Sequence, residues 1–338
     1  MTTQFQGPIT IDSYLSQPLT VGDPDVSGPM AVYPIFGAPP QQDYISMARA
    51  HSQGFTIKEL PGGASVRDLL VSNNGPKPVL LFEGEEVLGA QQNRTFDTSI
   101  LVPVGEPMNV PVSCVEAGRW DGSRHGESFR PAPHAAHPDL RKEKARQASR
   151  SRVAGGEARA DQGQVWSMVA DRSASLNVNS STGSLNDVYE SRRGNLDELT
   201  NAINLKEGQI GAILQIGDEV IAVDLVSRPD VFADLHKPLV QGYSLDALVN
   251  KGKAVAEADN FLAEDFLDSV IGNRILERDG IGLGRDFRFE QPSLVGSGLI
   301  SGEELIQLSA FTESDEGSAG NGAPVNAARI RRPSRRHR

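Results

Sequence analysis

Six short apolar runs between residues 55 and 116 constrain this chain more than any other feature. FTIKEL, SVRDLLV, KPVLLFE, EEVLGAQ, TSILVPV and MNVPVSCVE follow one another closely, split by Gly, Pro and Asn. Each run is too short for a stable helix, and Gly, Pro and Asn are residues that end strands and make turns. Such spacing predicts an antiparallel β-sandwich or a jelly-roll-like sheet.

The rest of the chain reads differently. Residues 1–28 form a Pro- and Gly-rich extended lead-in, and 29–120 the β-rich half, opened by a strand at PMAVYPIFG and a short helix at 41–54. Residues 121–163 contain almost no branched aliphatics, which predicts a basic, flexible excursion with an exposed helix near 138–150. Residues 164–311 read as an α+β half packed with the first as one unit. In it, Asn195 caps a helix, GAILQIGDEVIAVDLVS forms a hairpin turning at Gly217 and Asp218, and Pro238 kinks or restarts a helix. Residues 312–338 read as a disordered basic tail. The expected class is therefore α+β, a sandwich-like N-terminal sheet plus a mixed helical C-terminal part containing a β-hairpin.

One cysteine allows neither an internal disulfide nor a multi-cysteine zinc site, and no run is long and apolar enough for a membrane helix. A reduced, cytoplasmic protein without cofactor or metal is expected. The net charge of −11 is uneven. The last ten residues hold six arginines and no acid, while 121–160 carry nine Lys/Arg against five Asp/Glu. The remaining body repels nucleic acid and anionic membranes, so specific nucleic-acid binding is not expected and the tail reads as a solubilising or partner-docking segment.

Two stretches concentrate chemistry. FEGEEVLGAQQNRTF places Glu83, Glu85, Gln92, Asn93 and Arg94 around an expected hairpin, and VPVSCVEAGRW places Cys114, Glu116, Arg119 and Trp120 together. Carboxylates, amides and guanidinium groups hold polar ligands or move protons. A solvated hairpin with a surface Arg–Glu pair accounts for the first stretch better than a site does. On a strand, Cys114 shares its face with Val110 and Val112, which favours an inert core thiol over a nucleophile. His125, His134 and His137 lie in the excursion and are read as linker histidines, and DGIGLGRD (279–286) as a turn.

Taken in order, LLFEGEEVLGAQQNRTFDTSILVP, VPVSCVEAGRW, GQVWSMV, the hairpin with its following helix, and EELIQLSAF resemble the ARG-and-rhodanese-phosphatase-superfamily-associated protein domain over residues 25–312. The resemblance emphasises Glu83, Gly84, Glu85, Gln92, Asn93, Arg94, Cys114, Glu116, Gly118, Arg119 and Trp120. It implies a place near NAD or ADP-ribose metabolism, or in a conflict system, and a nucleotide-like ligand. The family often carries a histidine in its last strand, where this chain has Gln307. Three functions follow as expectations. The first is a ligand-binding or accessory module. The second is a hydrolase of an ADP-ribose-like ligand, with Glu85 or Glu116 as base and Arg94 or Arg119 stabilising the anion. The third is an interaction protein docking through its tail.

Overall fold

The structure is a computed structural model that describes residues 9–313, apart from 154, 251, 253, 256 and 257. The expected disordered tail falls almost wholly outside the described residues. The class is α+β with large antiparallel sheets. Seven helices are present among the described residues: α1 (Met47–Ala50), α2 (Pro138–Val153), α3 (Gln162–Ser175), α4 (Leu185–Ser191), α5 (Arg193–Thr200), α6 (Pro229–Val249) and α7 (Asn260–Ile271). None of them is long and apolar enough to cross a membrane.

The hairpin Gly211–Ile216 and Glu219–Val226 lies inside a nine-stranded antiparallel sheet. It turns at Gly217, whose φ of 60° is available to glycine at little steric cost. On one side it pairs with Met30–Phe36, and on the other with Glu304–Thr312, followed by Leu294–Ser301, Arg285–Gln291 and the edge strand Leu276–Asp279. Met30–Phe36 and Gly211–Ile216 are almost wholly buried, so they read as continuous apolar runs rather than alternating ones.

The runs of the β-rich half divide between two sheets. Arg130–Ala135, Glu85–Leu88, Arg94–Phe96, Met108–Cys114, Asp68–Asn73 and Phe55–Lys58 make a six-stranded antiparallel sheet. Ile100–Val102, Val79–Leu81 and Ile45–Ser46 make a three-stranded one whose last pair is parallel. The glycine loop before Arg285 joins this small sheet to the large one. The Leu283 N–H donates to Leu101 O at 2.8 Å, and a Cβ on Gly282 would lie 2.2 Å from that same oxygen. The glycine is there for close backbone approach.

Several elements differ from the sequence expectation. The helix expected over 41–54 is only α1, because the Ser46 hydroxyl accepts from the Arg49 N–H and starts it there. Asn195 lies inside α5 rather than capping it. α6 does not restart at Pro238; it runs through as one buried helix, its packing outweighing the roughly 3 kcal/mol that an interior proline costs.

The largest difference is α2. The helix is where RKEKARQ, a run of good helix formers, places it, with Pro138 at its first position. It is not exposed. Its buried stripe is Leu140, Arg141, Lys144, Ala145, Ala148 and Ser149. Arg141 donates to both oxygens of Asp224 at 2.7 and 2.6 Å, and Phe82 and Phe311 lie 5.2 and 5.1 Å from its guanidinium carbon. Tyr243 and Ser309 also donate to Asp224, each at 2.6 Å, and Gln307 donates to Ser309 at 2.7 Å. Lys144 donates to Phe96 O at 2.7 Å and lies 3.3 Å from Asp97.

Gly84 explains itself against this helix. Its φ is 89°, and a Cβ there would meet Arg141 Nε at 2.5 Å. Arg141→Met leaves Asp224 buried without its cation and is expected to cost about 3–5 kcal/mol in urea denaturation. Gly84→Ala should also destabilise, through strain and the Arg141 contact; a midpoint equal to wild type for either variant contradicts this account.

Candidate functional site

The antiparallel register carries one chemistry-bearing stretch into contact with the other. Arg94 stands opposite Cys114, and Thr95 opposite Ser113. Past the strand end, the Asn93 N–H donates to Glu116 Oε2 at 3.1 Å and Gln92 Nε2 donates to Glu116 O at 2.8 Å. Gln92, Asn93, Arg94, Cys114, Glu116, Arg119 and Trp120 therefore form one cluster.

Arg119 clamps it. Its Nε and Nη2 donate to the two oxygens of Glu116 at 2.9 and 2.7 Å, and its Nη1 donates to Ala90 O at 2.6 Å. Burial works against the Glu116 charge, yet the Arg119 and Asn93 hydrogen bonds hold the carboxyl below its ordinary value. The turn that follows packs on the loop before α4. The Gly118 N–H donates to Thr182 O at 2.6 Å, and a Cβ on Gly118 would lie 3.0 Å from Thr182 backbone atoms.

Arg94 is fully buried. It donates to Gln92 Oε1 at 3.2 Å and to Ser65 O at 3.4 Å, and its Nε has no partner. Trp120, 50% exposed, places its ring 5.9 Å from the Arg94 guanidinium carbon. Glu59 sits 3.9 Å from Arg94 with Oε2 unpartnered, and burial raises its carboxyl above the ordinary value. Sequence inspection missed Glu59. It is next to last in the run FTIKEL, just past the strand Phe55–Lys58, like many a carboxylate at a strand end, and only the fold brings it to Arg94.

The Cys114 thiol is not packed against valines alone. It donates to Gln92 Oε1 at 3.0 Å and to Glu116 O at 3.2 Å, while Gln162 from α3 bridges the Cys114 backbone N–H and C=O at 2.8 Å each. Burial pushes the thiol above its ordinary value, and Arg94 opposes this only in part.

Glu83 and Glu85 are not in this cluster. Glu83 accepts from Ser297 of the large sheet at 2.9 Å. Glu85 accepts from the Phe82 N–H at 2.8 Å, and burial pushes its carboxyl to about 8.

The linker reading of the histidines does not hold. His134 stacks on Tyr189 at 3.7 Å and meets Glu86 at 3.0 Å, and His137 lies 2.9 Å from Asp246. Only His125, 3.0 Å from Gln91, stays near the surface. His137, Asp139 and Asp246 are close enough together to hold a cation. The Arg172 guanidinium already occupies their centre, with Nη2 2.7 Å from Asp246, 2.9 Å from Asp139 and 3.2 Å from His137. Asp246, opposed by burial, is held at about 2 by Arg172 and His137, and it caps α2 by accepting from the Asp139 N–H at 3.0 Å. This donor set suits an ion-pair joint.

Two tests follow. Between the ordinary value of 4.5 and about 8, native Glu85 binds a proton that the unfolded chain does not, so its contribution lowers stability as pH rises through that window. Glu85→Gln, which keeps the acceptor for Phe82, should gain on wild type steadily from pH 5 to 8; parallel stability curves would refute this. Cys114 in the folded protein should react with a thiol reagent far more slowly than in urea. Labelling at the unfolded rate would reverse the assignment of a buried, protonated thiol.

Residues 18–311 match the family described as ARG and Rhodanese-Phosphatase-superfamily-associated Protein domain. No curated protein and no solved structure matches the chain. A match of that extent, covering both chemistry-bearing stretches and the strands that join them, places the chain in a family: it belongs to the ARG and Rhodanese-Phosphatase-superfamily-associated Protein domain family.

Proposed function

We propose that this protein is a binding or accessory module for a small anionic, nucleotide-like ligand, with ADP-ribose the first candidate. The observation that carries the reading is Trp120, a half-exposed indole lying over a buried guanidinium, Arg94, that has an unpartnered Nε. An exposed aromatic face stacks on a base, and a desolvated guanidinium attracts phosphate. The family description, which names an association with ARG and rhodanese-phosphatase superfamilies, supports the choice of ligand by analogy only.

Hydrolysis is the second reading, and the geometry moves its base. Glu116 has both oxygens engaged by Arg119, and Glu85 makes no contact with the Cys114–Arg94 cluster. Glu59 keeps a free oxygen, a raised carboxyl and a guanidinium neighbour, which suits it to proton transfer. Docking through the Arg-rich end remains the third reading and rests on residues outside those described.

The test is thermal unfolding with ADP-ribose. A ligand at a hundred times its dissociation constant stabilises by about 2.7 kcal/mol. Wild type should shift upward, and Trp120→Ala should bind roughly tenfold more weakly, as expected for losing one stacked base. No shift at millimolar ADP-ribose would sink the binding reading. If wild type shifts and slowly consumes the ligand, Glu59→Gln should abolish turnover while keeping the shift.

A further inference from the structure

A cleft of about 210 Å³ lies between the last turn of α2 and the edge of the large sheet. Ser149, Arg152 and Val153 form one wall. Leu276, Arg278, Asp286, Arg288 and Phe289 form the other. None of these residues belongs to the Trp120 cluster.

Arg288 is the unusual member. Its side chain is 7% exposed, yet none of its three guanidinium nitrogens has a hydrogen-bond partner. The nearest carboxylate, Asp286, is 4.0 Å away and already pairs with Arg152 at 3.0 Å. Glu83 acts on Arg288 from the interior without giving it a hydrogen bond. Leaving a guanidinium dry and without hydrogen bonds is costly, because all five of its N–H groups lose water and gain no acceptor in return. Around the same cleft, Ser149 Oγ and Arg152 Nε are also unpartnered, with Asp286 Oδ1 the free acceptor. Arg278 stands exposed at the mouth, and Leu276, Val153 and Phe289 supply apolar surface. Residues with unused donors thus line one cleft together with cationic charge and an apolar wall, which is the composition of a site for a small amphipathic anion.

We propose that this cleft binds a small organic anion, a carboxylate or phosphate monoester with a short apolar body, anchored by Arg288. The anion engages the guanidinium fork, Ser149 and Arg152 supply further donors, and the apolar body lies against Leu276 and Val153. The site is separate from that of Trp120, so the two can be occupied independently.

Isothermal titration calorimetry with phenyl phosphate, benzoate and inorganic phosphate tests it on the full chain. Wild type should bind one equivalent of an aromatic probe at millimolar concentration or better, and bind inorganic phosphate more weakly. Phenyl phosphate binding tighter than benzoate assigns a phosphate ester; the reverse assigns a carboxylate. Arg288→Met, which keeps the aliphatic stem, should weaken binding about tenfold or more, as for loss of a charge-assisted pair. Arg278→Ala and Ser149→Val, which leave the buried guanidinium in place, should each weaken it severalfold. Trp120→Ala should leave it unchanged, which separates failure of this proposal from failure of the ADP-ribose reading. No heat with any probe, or wild-type affinity in Arg288→Met, overturns the proposal and assigns the unused donors to buried water. Should Arg288→Met not fold, unchanged affinity in both Arg278→Ala and Ser149→Val overturns it equally.

Discussion

The Arg141–Asp224 pair is the joint on which the rest of the molecule depends. Two opposite charges lie wholly out of water, bonded twice, with Phe82 and Phe311 flanking the guanidinium and Tyr243 and Ser309 completing the carboxylate. These residues come from α2, the central hairpin, the segment just after strand Val79–Leu81, α6 and the last strand. A buried ion pair contributes little net stability against an apolar replacement, because desolvation offsets the attraction. Its effect here is geometric. Each partner is tolerable only in the arrangement that satisfies the other, so α2 can dock on the large sheet in one place. Gly84 belongs to the same constraint, since the Arg141 side chain occupies the space of a missing Cβ. Gln307 feeds this joint through Ser309.

The same economy organises the Trp120 cluster. Glu116 receives Arg119 and the Asn93 N–H, and the loop before α4 receives Gly118. A turn held at that many points presents Trp120 from a fixed base. Arg94 and Glu59 lie beneath it with one unpartnered atom each. Engaged and unpartnered polar groups thus stand side by side in this cluster. The α2 cleft repeats that contrast, with Arg152 engaged to Asp286 and Arg288 idle beside it.

Much of the strand inventory was legible. The six apolar runs correspond to Phe55–Lys58, Asp68–Asn73, Val79–Leu81, Glu85–Leu88, Ile100–Val102 and Met108–Cys114, and the hairpin at Gly217 is where its pattern put it. Hydrophobic runs and turn glycines are local signals, readable without knowing the partners. α2 was misjudged for the opposite reason. Its buried stripe is built from Arg141, Lys144 and small residues, which a hydrophobic pattern scores as surface. His134 and His137 were misjudged with it, because their partners Glu86, Tyr189 and Asp246 are remote in sequence.

The sequence by itself determined most of the strands, the central hairpin and the family, all of which follow from local composition or from ordered motifs. It also brought forward Gln92, Asn93, Arg94, Cys114, Glu116, Arg119 and Trp120, two stretches that strand pairing then joined. Only the tertiary structure decided which charges are buried and with whom: Arg141 with Asp224, Lys144 with Asp97, Arg94 with Glu59, and Arg288 with no hydrogen-bond partner. The physical reason is that a charged residue carries no sequence mark of burial. Whether it faces water or the interior depends on a counter-charge supplied from elsewhere in the chain.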